Sequence, residues 1–273
     1  MTSQRKSGFV ERPDCRIHYE VIGSGPAIVF AHGLGGNLMS WYQQVAHFAP
    51  RFTCVAFSHR GFGQSLSPAQ VPDPMQYATD LAALVDLLEL KDIRLVAQSM
   101  GGWTAVEFGL AHPGRLKAMV MACTTGTIDP YQIADPELSR LPKWFETEFS
   151  KGPALFARGI HPAAGARMAK EQPAKHLLYQ QIDEQNQALD RAAVAARLMT
   201  MRQRAPEELI GIGCPIRFIC GDEDVVIPPF AADAIARAVP KATVSHVPEA
   251  GHSVYFERPE AFNQILDDVF SRN

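Results

Sequence analysis

No segment of the 273-residue chain approaches the ~20 consecutive apolar residues that a membrane-spanning helix needs. A membrane is therefore not an expected partner. Positive charge is not in surplus either: 26 Lys and Arg stand against 29 Asp and Glu, a net −3 that leaves little with which to neutralise phosphates. Nucleic acid is excluded as the expected main partner. Residues 1–20 scatter Arg5, Lys6, Glu11, Arg12 and Asp14 where a secretory signal would need an unbroken apolar stretch. Cysteine is sparse. Cys15, Cys54, Cys123, Cys214 and Cys220 are odd in number, far apart and without a C-x-x-C pair, which fits neither a disulfide framework nor a zinc site. A reducing compartment, the cytoplasm, is the expected location. There is no internal repeat and no low-complexity tract. The length allows one or two domains with a core large enough to need no covalent staple.

What is present is a rhythm of strands and helices. Residues 16–21 alternate, with Ile17, Tyr19 and Val21 on one side and Arg16, His18 and Glu20 on the other, as an edge strand with one buried face requires. Short apolar runs follow at 27–31, 53–57, 93–97 and 118–122, interleaved with helix-period segments, the pattern of βα units and a parallel sheet. The spacing of Tyr77, Leu81, Leu84 and Leu88 predicts a helix over 76–90 whose apolar stripe packs on that sheet, with Asp80 and Asp86 turned elsewhere. From 124 to 208 the rhythm stops. That stretch reads as short helices cut by Pro130, Pro136, Pro142, Pro153, Pro162 and Pro173, and its 11 basic and 11 acidic residues cancel, so it would not steer charged substrates. Strand signals return at 215–220 and 243–247, with helices near 230–239 and from 259.

Chemistry concentrates at the ends of the apolar runs. After residues 93–97 comes Gln98-Ser99-Met100-Gly101-Gly102 and then a helical stretch, which lifts Ser99 on a sharp strand-to-helix turn. The helix that follows aims N–H groups and a positive dipole end at the hydroxyl, an arrangement suited to a nucleophile or an anion site. A serine N-cap with glycines packing helix to strand is the structural alternative. Upstream, His32-Gly33-Leu34-Gly35 ends another run, and the N–H groups of Leu34 and Met100 together would make a two-donor oxyanion hole. His32 itself either braces that loop or reaches the substrate. Downstream, residues 221–228 carry three carboxylates, Asp222, Glu223 and Asp224, at the end of a strand, and His252 lies on a later loop. Strand-end geometry alone does not say which carboxylate would orient the histidine.

These segments, together with Arg60-Gly61-Phe62-Gly63-Gln64-Ser65, resemble those of the α/β-hydrolase fold family, in its small serine-nucleophile members with a single cap. The resemblance covers essentially the whole chain. It implies a mostly parallel twisted sheet flanked by helices, formed by residues 1–123 and 209–273, with a helical cap at 124–208 inserted after the sixth strand. It further implies Ser99 as nucleophile, His252 as general acid/base and Asp224 as its orienting acid, acting on a small ester or lactone with water and without a cofactor or metal. A monomer or homodimer is expected. Where the family commonly has an Asp two residues before the Arg-Gly pair, this chain has Ser58-His59-Arg60-Gly61, which either thins the local hydrogen bonding or turns His59 towards the pocket. The start of the cap and Lys143-Trp144 resemble the 3-oxoadipate enol-lactonase group, which puts Trp144 forward as a substrate-binding residue, with an anchor inside the cap core as the structural alternative. Carbon–carbon bond hydrolases commonly have Trp after the Gly-His pair, where this chain has Ser253. A perhydrolase activity on the same three residues and a ligand-sensing role complete the alternatives.

Overall fold

Eight strands line up in one sheet in the order β1 (Lys6–Glu11), β2 (Arg16–Ile22), β4 (Thr53–Phe57), β3 (Ala27–Ala31), β5 (Ile93–Gln98), β6 (Leu116–Ala122), β7 (Ile216–Gly221) and β8 (Ala242–Val247). The computed structural model describes residues 5–69, 71–186 and 188–271. β1 and β2 pair antiparallel, as do β2 and β4, and from β4 to β8 every pair is parallel. The central strands are buried on both faces, which explains why they read as continuous apolar runs instead of alternating ones.

Alternation reappears in what each face touches. Val29, Ala31, Val55, Phe57, Leu95 and Ala97 point to one core, shared with the helices Tyr77–Leu87, Gly101–Ala111 and Pro229–Ala238. Ile28, Phe30, Cys54, Ala56 and Val96 point to the other, covered by Tyr42–Phe48 and Pro259–Ser271. The helix Tyr77–Leu87 starts after Asp73, whose carboxylate accepts the Met75 N–H, and ends just before Glu89, whose φ of 50° is left-handed.

One expectation is corrected. The sheet edge is β1, one strand further out than residues 16–21, so His18 is not on a solvated face: it is buried between neighbours and its Nε2 meets Ser7 Oγ at 2.9 Å. Asp80, off the apolar stripe of its helix, is buried as well. The Arg60 guanidinium donates to both its oxygens at 2.7 Å, Arg12 adds a third bond at 3.0 Å, and burial of the Arg60–Asp80 pair is nearly complete. A turn of helix at Val254–Glu257, in a stretch too short for its period to show in the sequence, lies between β8 and the last helix.

Because the parallel strands run the same way, the loops after β3, β5, β7 and β8 open at one edge of the sheet. Residues between β6 and β7 fold as short helices over that region, fastened by the Trp103 indole N–H to Leu198 O at 2.8 Å and by Asn186 Nδ2 to Gly36 O at 3.1 Å.

The buried Arg60–Asp80 pair yields the first prediction. Asp80→Ala leaves the buried Arg60 guanidinium with only the exposed Asp14 carboxylate, 2.8 Å from its Nη1, so urea unfolding should show a loss of about 3 kcal/mol. A loss below about 1 kcal/mol would mean that the pair is not a structural anchor.

Candidate active site

Ser99 stands at the end of β5 with φ of 48°, in the left-handed region that non-glycine residues seldom occupy. Its own N–H donates to Ala122 O at 3.0 Å and its carbonyl accepts the Gly102 N–H at 2.8 Å, which fixes the turn. The tightness has a steric reason. A Cβ on Gly101 would sit 2.3 Å from Ala31 O, a backbone atom that cannot move aside, so helix Gly101–Ala111 reaches the sheet only with glycine there. Ala97, standing where the sequence motif commonly has a first glycine, is fully buried without disturbing the strand.

His252 meets Ser99 from the loop after β8. Its Nε2 is 2.8 Å from Ser99 Oγ and its Nδ1 is 2.8 Å from Asp224 Oδ2. The other Asp224 oxygen accepts the N–H groups of Val226 at 2.7 Å and Ile227 at 3.0 Å, so the carboxylate is held by its own loop before it touches the ring. Gln98 Nε2 donates to His252 O at 3.0 Å, tying the histidine loop to the strand that carries Ser99. Asp222 faces away and meets His246 Nδ1 at 2.8 Å near the surface, while Glu223 accepts from Arg167. Of the three carboxylates in the loop, therefore, Asp224 is the one placed on His252.

Ser99 and His252 open into a cavity of about 240 Å³. Leu34, Gly35 and Val226 line it from the sheet edge, and His161, Tyr179 and Arg191 from the segment between β6 and β7. Leu34 thus lies at the cavity as the sequence suggested. The Met100 side chain does not: it packs with Phe62, Trp103 and Leu198, which leaves its backbone at the start of helix Gly101–Ala111 beside Ser99. His161, Tyr179 and Arg191 carried no local signal, because the chain path that brings them over Ser99 is set by how several short helices stack. Arg191 is bound to Asp183, and burial pushes the His161 ring below its ordinary range and the Tyr179 phenol above it.

Two of the sequence candidates for substrate contact lie elsewhere. Trp144 is buried among Leu138, Leu141, Phe230 and Ala234 and is absent from the cavity wall, so it anchors the helical segment to the Pro229–Ala238 helix. His32 is fully buried beneath the loop. Its Nδ1 donates to Gly33 O at 2.8 Å and its Nε2 accepts the His59 N–H at 2.9 Å, which specifies the neutral Nδ1–H tautomer. His59 likewise turns inward, to Thr104 Oγ1 at 2.8 Å, not to the cavity. Ser58 occupies the position of the missing aspartate, and its hydroxyl accepts the Leu38 N–H at 3.2 Å.

Among the described residues, one trio has metal-ligating atoms close together: Cys123, Asp224 and His252. It is poorly suited to an ion. His252 Nδ1 and Asp224 Oδ2 are already bonded to each other, and burial pushes the Cys123 thiol well above its ordinary range, away from the thiolate that metals bind. A larger apolar groove of about 530 Å³, lined by residues such as Ile22, Tyr42 and Leu178, contains neither Ser99 nor His252.

A sequence profile described as the alpha/beta hydrolase fold matches residues 26–259, and the chain belongs to that family. It is a hydrolase of this fold whose relatives differ in what they act on. It is 27% identical over 272 residues to the putative non-heme bromoperoxidase BpoC of Mycobacterium tuberculosis, with 93% of this chain and 97% of that protein covered. It is 26% identical over 263 residues to 3-oxoadipate enol-lactonase 2 of Acinetobacter baylyi, covering 95% and 94%. Among solved structures, a thermophilic esterase from Thermogutta terrifontis superposes with a TM-score of 0.75 at 24% identity over 99% of both chains. No helix among the described residues is long and apolar enough to cross a membrane.

The buried His32 ring gives a prediction with a definite sign. Burial lowers its pKa from 6.5 to about 4, so the unfolded chain takes up a proton that the native protein refuses. This group therefore takes stability away as pH falls from about 6.5 towards 4. NMR of the His32 ring should show no titration between about pH 5 and 8; a midpoint near 6.5 would contradict the burial-lowered pKa.

Proposed function

We propose that this protein hydrolyses a small carboxylic ester or lactone through an acyl-enzyme on Ser99. The observation that carries the reading is the continuous chain of contacts from Ser99 Oγ to His252 Nε2 and from His252 Nδ1 to Asp224, opening into one cavity. His252 takes the hydroxyl proton as Ser99 Oγ attacks the carbonyl carbon. Asp224 keeps the Nδ1–H tautomer and stabilises the imidazolium without accepting its proton. The N–H groups of Leu34 and Met100 receive the developing oxyanion. His252 then protonates the leaving oxygen, and in the second half it draws a proton from water, which attacks the acyl carbon and releases the acid and Ser99.

Residues 124–208 act in this reading as a cap that closes the cavity and sets its size through His161, Tyr179 and Arg191. About 240 Å³ lies below the usual range for drug-sized ligands, which favours short acyl groups and small rings. The enol-lactonase among the relatives supports a lactone as one such substrate. The bromoperoxidase relative favours a second reading, in which peroxide replaces water as the nucleophile on the same acyl-enzyme.

Turnover of short p-nitrophenyl esters and small lactones tests the proposal. Ser99→Ala should abolish hydrolysis with an unchanged unfolding transition. Asp224→Asn should lower kcat by about 10⁴-fold, whereas Asp222→Asn should leave it within about 2-fold, because only Asp224 touches His252. Equal losses in the two aspartate variants would refute the assigned roles.

A further inference from the structure

Glu257 closes the short helix that follows His252, and its side chain is buried, 2% exposed. Glu257 Oε2 accepts the Gly251 N–H at 2.9 Å and Oε1 accepts the Ser253 N–H at 3.1 Å. The two amides flank His252, so a single carboxylate grips the backbone on both sides of the residue that meets Ser99. The opposite side of the loop is wedged against the sheet: a Cβ on Gly221 would lie 2.1 Å from Gly251 O. The helix is also fixed from outside, because Glu257 O accepts Gln172 Nε2 at 3.1 Å.

Charge around the group does not cancel its burial. Asp224 repels it from the strand-end loop, and Arg258, the next residue, attracts it more weakly than burial opposes it. Lys175 interacts with it at longer range, and the Tyr179 and Tyr255 phenols near it are held protonated by their own burial. A cleft of about 340 Å³ on the side away from Ser99 also reaches Glu257, between Glu148, Lys151, Arg167, Asp222 and Glu223. Arg167 is committed there to Glu223 and Glu171, and Lys151 to Glu148. Burial is the dominant influence and pushes the Glu257 carboxyl up from 4.5 to about 7. The chemical consequence follows from counting acceptors. A carboxylate offers both oxygens to the two amides as full acceptors, whereas a neutral carboxyl carries a proton on one oxygen, which makes that oxygen a poorer acceptor and weakens one of the two amide bonds.

We propose that Glu257 is a positioning residue whose ionised carboxylate clamps the backbone at 251–253 and thereby sets the His252 ring against Ser99. This inference rests on the Ser99–His252 reading above. Glu257 touches no substrate in it, so it acts on kcat and not on KM. Activity and stability then run in opposite directions with pH. The clamp forms as Glu257 ionises, while the raised pKa means that the stability contributed by the protonated group is present below 4.5 and lost as pH rises through about 7.

The test is the pH dependence of kcat and KM for p-nitrophenyl acetate in the wild type and Glu257→Gln, with fluorophosphonate labelling of Ser99 and thermal unfolding measured in parallel. The wild-type rise in kcat from about pH 5 to 8 should be steeper than one ionisation allows. Glu257→Gln should lose about 10- to 100-fold in kcat at pH 8 with KM within 2-fold, and its remaining rise should follow a single ionisation. A wild-type rise that fits one ionisation overturns the proposal, even if the variant does not fold. So does a variant with unchanged kcat and profile. Failure of the wild-type Ser99 to label overturns the underlying reading instead, and the clamp with it.

Discussion

A serine held in left-handed backbone at the end of a parallel strand imposes its demands on everything nearby. At φ of 48°, the Ser99 turn is strained by an estimated 1–3 kcal/mol, and such a conformation persists only where the surroundings over-determine it. They do so here: β5 is buried along its whole length, Ala122 O and the Gly102 N–H fix the turn, and Ala31 O excludes any side chain at position 101. The same turn directs Oγ away from the sheet and towards the loops that follow β7 and β8. Asp224 and His252 are far from Ser99 in sequence, yet parallel strand order places all three at one edge.

Beneath this edge lies a second polar layer that does not line the cavity at Ser99. His32, His59 and Thr104 are bonded in series, with His32 also holding the loop that carries Leu34. In this layer Ser58 replaces the family's usual aspartate, and the local demand for acceptors falls to a hydroxyl and to imidazole nitrogens that burial keeps neutral. Negative charge at this depth is instead supplied by Asp80, neutralised by Arg60 and Arg12.

Much of the fold was legible because fully buried parallel strands leave a signature that depends on composition alone. The runs at β3 and β4 agree with the sequence reading to the residue, and β5 to β8 to within one or two. The placement of Ser99, Asp224 and His252 at one sheet edge has a related origin: Ser99 follows β5 directly, and the other two lie in the loops just after β7 and β8, where local motif and topology coincide. β1 was missed because its neighbour β2 alternates like an edge strand, although β1 pairs along its outer edge. The packing of Trp144 and Asp80 was not legible, because burial of a single side chain depends on which distant element packs over it, and no local period encodes that. His161, Tyr179 and Arg191 reach the cavity by the stacking of helices whose relative placement is a tertiary property. Glu257 could have been noticed as a carboxylate five residues after His252, but its grip on two amides belongs to backbone geometry, not to spacing.

The central claim is that Ser99 carries a covalent intermediate, and a direct check is to mix the protein with a slowly deacylating aryl ester, quench in acid and locate the added mass by peptide mapping. One acyl group per chain is expected on the peptide containing Ser99, with none acquired by His252→Ala on the same timescale. Turnover with no adduct on Ser99, or an adduct on another residue that forms at the rate of hydrolysis, would contradict it.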